Sequence, residues 1–105
     1  MRVSAHVEDE ELAKAKGKLE EFLADIWPAA KWLDITLRPM KGPEGEAILF
    51  VLVVLDAEPT AADVPRQIDL RHKFSTWLLQ EAGDERFPYF DFVGKDAMTR
   101  RYGVI

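Results

Sequence analysis

Between Leu12 and Ile26 the apolar positions recur with a helical period. Leu12, Ala15, Leu19, Phe22, Leu23 and Ile26 fall on one side, and Lys14, Lys18, Glu20, Glu21 and Asp25 on the other. The acidic run Glu8 to Glu11 lies at the amino end of this stripe, where a helix dipole favours it. Pro28 predicts a stop at about Trp27. Ahead of the helix, Val3, Ala5 and Val7 alternate with Arg2, Ser4 and His6, which predicts a short first strand over residues 2–7. A second alternation, Leu33, Ile35 and Leu37 against Asp34, Thr36 and Arg38, predicts a half-buried strand. "PMKGPEGE" then turns the chain into "AILFVLVVL", residues 47–55, which is apolar at every position. That run is far short of the roughly 20 residues a membrane-spanning helix needs, and its β-branched content predicts a buried strand.

After Asp56 the segment "AEPTAADVP" is a connection, and Asp63 with Pro65 marks the start of a second helix. Leu70, Phe74, Trp77 and Leu78 form its main apolar stripe, and Gly83 offers a left-handed cap beyond Ala82. Residues 87–93, "FPYFDFV", predict a last strand, and the tail 96–105 a short helix from Ala97 to Tyr102. The expected class is α+β: one domain over residues 1–105, with two helices packed on a small mixed sheet in the order (β)-α-β-β-α-β. With the first strand, that order resembles ferredoxin-like folds. Without it, the order resembles KH-like modules that begin with a helix. Neither topology implies a function.

Composition narrows the function classes. The chain has 105 residues, 48% hydrophobic and 31% charged, as an ordinary globular domain has. A formal net charge of -5 argues against binding along a nucleic-acid backbone or an anionic membrane, despite the basic pieces "TRRYG" and Lys41. There is no Cys, which removes disulfides, thiolate metal sites and cysteine nucleophiles. The amino terminus carries no apolar core of signal-peptide length, so a cytoplasmic location is the expectation.

Candidate chemistry concentrates in "QIDLRHKF", residues 67–74. Asp69, His72, Lys73 and Thr76 share the polar side of the second helix. Asp69 and His72 have the spacing for two metal ligands, or for a carboxylate orienting a general base. A catalytic zinc wants three protein ligands, however, and the other histidine, His6, is far along the chain. A solvated helix face is therefore the expected reading, with no cofactor and no metal. Arg71 lies between the main stripe and a minor one of Ile68, Leu79 and Ala82. There it must snorkel past the sheet edge or meet a carboxylate, Asp56 or Asp34. "GPEG", residues 42–45, has the spacing of a KH loop but sits in a hairpin with Pro43 and Glu44, and is rejected. No phosphate-cradling loop or nucleophile elbow occurs.

What survives is an apolar surface. Residues 47–55 are apolar on both faces, whereas the neighbouring strands are apolar on one face only. Two helices cover one face of a sheet, which leaves an apolar stripe on the other. Taking Leu49, Val51 and Val53 as the outward set, with Tyr89 and Val93 beside them, gives a candidate interface. The alternative phase is equally apolar. Monomers rarely expose more than about 300–600 Å² of contiguous apolar surface. Three covers are open: the tail with Met98, Tyr102, Val104 and Ile105, a second copy, or another protein or apolar ligand. The expected role is binding or assembly, as a homodimer through the open sheet face, without catalysis. The rival is a small-ligand protein or enzyme with a cleft near Arg71, His72 and Asp69.

Overall fold

The stripe of residues 12–26 forms a helix, but the helix is longer than its stripe. A computed structural model describes the backbone of residues 2–102 and the side chains of residues 10–102. The chain runs α1 (Arg2–Ile26), β1 (Trp32–Lys41), β2 (Ala47–Leu55), a 3-10 turn (Ala61–Asp63), α2 (Val64–Gln80), β3 (Phe87–Gly94) and α3 (Lys95–Tyr102). Residues 2–7, expected as a strand, are the first turns of α1. Extending an existing helix adds a hydrogen bond per residue and needs no new nucleus. The order is therefore α-β-β-α-β followed by α3, and the ferredoxin-like option falls away.

The sheet is mixed, in the order β1-β2-β3. β1 and β2 form an antiparallel hairpin with Ile35 opposite Val53 and Leu37 opposite Val51. β3 runs parallel to β2, with Phe90 opposite Val51 and Phe92 opposite Val53. A parallel neighbour requires a crossover, and α2 supplies it. β2 is thus central: its inner face meets α1 and α2, and the later half of its outer face meets α3.

α1 and α2 lie on one face. Ala15, Leu19 and Leu23 of α1 and Leu70, Phe74 and Leu78 of α2 close over Leu49, Val51, Val53 and Leu55, with Ile35, Phe90 and Phe92 completing the core. Phe74 meets Phe90 edge to face at 5.7 Å, and Phe90 stacks on Phe92 at 5.6 Å. This reverses the expected phase of β2. Leu49, Val51 and Val53, taken as outward, are 0% exposed beneath the helices. A run apolar at both parities carries no phase of its own. Its neighbours decide: inward Ile35 and Leu37 on one side, and the larger ring pair Phe90 and Phe92 on the other.

Turn chemistry holds these elements in register. The Thr60 N–H donates to Asp63 Oδ2 at 2.8 Å, and Pro65 sits in the first turn of α2. α2 ends as its sequence predicts: Gly83 is left-handed at φ 66°, and the Asp84 N–H reaches back to the Leu78 carbonyl at 2.9 Å.

The passage from β3 to α3 is made at Gly94, which is buried against the loop after β2. Its N–H donates to Glu58 Oε1 at 2.8 Å. A Cβ added there would lie 2.5 Å from the Glu58 backbone nitrogen and 2.8 Å from its Cα. The obstacle is backbone, which cannot swing aside as a side chain can. Gly94→Ala is therefore expected to lower stability by about 1–3 kcal/mol, the range for overpacking, read as a drop in the urea midpoint. An unchanged midpoint would show that the loop at residues 56–59 yields freely.

Candidate functional site

The second face of the sheet is the one left by the helices. From the register, Ile48, Phe50, Leu52 and Val54 of β2 point to it, with Phe87, Tyr89, Asp91 and Val93 of β3 on one side. Thr36, Arg38 and Met40 of β1 flank it on the other. α3 covers one end. Ala97 and Met98 pack over Leu52, Val54 and Val93, forming a second, small apolar cluster. Two polar ties hold that helix down. At its start, Lys95 Nζ meets Asp56 Oδ1 at 3.1 Å. At its far end, Arg101 Nη1 donates to both Asp91 oxygens at 2.8 and 2.9 Å, and the Tyr102 hydroxyl donates to the same carboxylate. Burial, and then the bond to Asp91, hold the Tyr102 phenol above its ordinary pKa.

Asp91 marks where the cover stops. Beyond it, Phe87 is 63% exposed, Tyr89 56% and Met40 46%, and Ile48 and Phe50 between them are half-buried. The Phe50 and Tyr89 rings stack at 6.2 Å with 29° between their planes, one continuous aromatic surface across two strands. Arg38, opposite Phe50, supplies a polar rim.

The expected interface residues thus divide. Leu49, Val51 and Val53 belong to the core. Tyr89 and Val93 are both on the outer face, but Val93 is 0% exposed under α3 whereas Tyr89 is open. Part of the tail, through Met98, covers half the stripe. Val104 and Ile105, named with it, lie outside the described residues. Ile48 and Phe50 belong to the alternative phase of β2, whereas Phe87 and Met40 were not among the expected interface residues. The signal for Phe87 was present in β3, where Phe87, Tyr89, Asp91 and Val93 share one parity and Phe90 and Phe92 the other.

The titratable residues of α2 do not converge. Asp69 and His72 are exposed, and neither makes a hydrogen bond or ion pair among the described residues. No group of three or more His, Asp or Glu side chains that could hold a metal occurs among the described residues. Arg71, expected either to snorkel past the sheet edge or to meet a carboxylate, is exposed and meets no carboxylate among the described residues. Asp56 is taken by Lys95. The guanidinium instead stands 5.8 Å over the centre of the Phe92 ring, a cation–π contact that reaches solvent past the edge of β3. Arg71 lines a shallow cleft of about 290 Å³ between α2 and β3, which neither Asp69 nor His72 reaches.

Another groove, of about 340 Å³, runs between α1 and α2, with Trp77 and Leu78 in its lining and Lys14, Lys18 and Arg86 among its polar residues. The Arg86 guanidinium there is engaged by Asp84, whose two oxygens it meets through Nε at 2.9 and 3.0 Å. That hydrogen bonding holds the Asp84 carboxyl below its ordinary value against the opposing effect of burial. The pair behaves as a structural clasp at the start of β3. No described helix is long and apolar enough to cross a membrane.

No protein-family model matches the chain, and searches of curated proteins and of solved structures find no similar protein.

Proposed function

We propose that this chain is a non-catalytic interaction module that assembles with a second copy through the open half of its outer sheet face. The observation that carries this reading is the exposed surface of Phe87 and Tyr89, with half-buried Phe50 stacked on Tyr89 and Met40 flanking it, beside a half of the same face that α3 already covers. Large exposed apolar side chains in one patch mark a contact surface, whereas scattered ones do not. A flat sheet face suits a twofold pairing, in which each patch meets its own image. The formal charge of -5 on each chain opposes approach, so association strengthens as salt screens it.

Tyr89→Lys tests the reading, because Tyr89 is 56% exposed and its loss does not disturb the core. Truncating an aromatic anchor costs about 2 kcal/mol or more of binding, so association is expected to weaken about thirtyfold or more. Sedimentation equilibrium over a range of concentrations measures it, with circular dichroism and melting unchanged. A wild-type chain that stays monomeric at every concentration rules the homodimer out.

A further inference from the structure

β3 is hydrogen-bonded to β2 on one side only, so it is an edge strand of the sheet. An edge presents unpaired backbone N–H and C=O groups to whatever extended chain lies beside it. Here the edge is not bare. The turn at residues 59–61 and the outward side of α2 rise along it, and the cleft of about 290 Å³ runs between them and residues 90–92. Phe90 and Phe92 give it an apolar floor, Thr60 and Gln67 line it as neutral polar groups, Asp91 lines it with its carboxylate already bound by Arg101 and Tyr102, and Arg71 is its one cation.

Arg71 is the uncommon feature. Its guanidinium has five donors in a fixed fork, and it meets no carboxylate among the described residues. The Phe92 ring below it restricts where the fork can point. We infer that the free edge of β3, with the groove beside it, docks an extended peptide segment of another protein that carries an acidic side chain. Such a segment adds as a further strand: its backbone pairs with the edge, and alternate side chains turn into the groove. One inward position faces the Phe90 and Phe92 floor and is apolar, and the next inward position, two residues along, meets Arg71 and is Asp or Glu. A carboxylate there takes two parallel hydrogen bonds from the fork. The chain's own negative charge repels a long acidic run, so the site favours a single acid among apolar residues. The groove lies on the opposite side of the sheet from the Tyr89 patch, and the inference does not depend on self-association.

The test is selection of random heptapeptides displayed on phage against the full chain, repeated against Arg71→Glu. The expected result is a peptide family with an acidic residue at one fixed position for the wild type, replaced by Lys or Arg at that position for the variant. The strongest wild-type peptide, made synthetically, should lose about tenfold or more in affinity on Arg71→Glu. Bound to the wild type, it should slow amide hydrogen exchange in residues 89–93. Arg71 is exposed, so the variant is expected to keep its fold, and circular dichroism checks this. Selection that yields no peptide family, an acidic preference unchanged by Arg71→Glu, or protection confined to β1 would each overturn the inference. So would a change of oligomeric state caused by Arg71→Glu alone, which would make a second copy the occupant of the groove.

Discussion

Val51→Lys is expected to leave the chain unfolded or molten at neutral pH, whereas the same charge at Tyr89 leaves it folded. Val51 is 0% exposed at the middle of the central strand, roofed by both α1 and α2. A lysine there has no path by which its amine could snorkel to water. Giving up its proton at pH 7 costs about 4–5 kcal/mol. Forcing a longer side chain into a filled core adds about 1–3 kcal/mol. Together these consume most of the roughly 5–15 kcal/mol by which domains are stable. The introduced amine has a depressed pKa in the folded state, so its penalty grows as pH falls and fades as pH rises toward about 10, the value for an unfolded lysine. Partial recovery of near-ultraviolet circular dichroism at alkaline pH is the specific signature. A Val51→Lys protein as stable at pH 7 as the wild type would mean that the other parity of β2 faces the helices.

The second large effect is at Phe74. It is 0% exposed, it stacks on Trp77 at 5.9 Å, and its edge-to-face contact with Phe90 ties α2 to β3. Phe74→Ala removes a buried ring from the junction of two elements that are joined in sequence only by a turn. A loss of about 3–5 kcal/mol is expected, measured by urea unfolding. Leu79, 56% exposed on the same helix, is the control, and truncating it should cost far less. A Phe74→Ala loss below about 1 kcal/mol would mean that α2 buries a different side.

Much of this is legible in the sequence. The stripes of α1 and α2, the alternation of β1, the Gly83 cap and the hairpin all follow from local patterns, because each expresses a periodicity the backbone imposes. The polar side of α2 was legible in the same way, since Asp69, His72 and Lys73 fall where the helical period puts them and are exposed. Arg71 was only half legible. Its position between two apolar stripes required it to reach outward or find an acid, but nothing local said which. The choice depended on Phe92, which lies beside it only after the crossover is closed.

The amino-acid sequence by itself determined an α+β domain with one strand apolar throughout and two helices to roof one face of it. Those properties live in composition and in periods of about 2 and about 3.6 residues, which neighbours along the chain are enough to express. Tertiary structure alone decided which parity of β2 faces the helices, where α3 ends its cover at Asp91, and that Phe50 and Tyr89 meet as one surface. Each of these is a relation between residues far apart in the chain. An apolar run has no preferred face until a strand with one apolar face pairs with it, and the register of that pairing then turns every side chain at once.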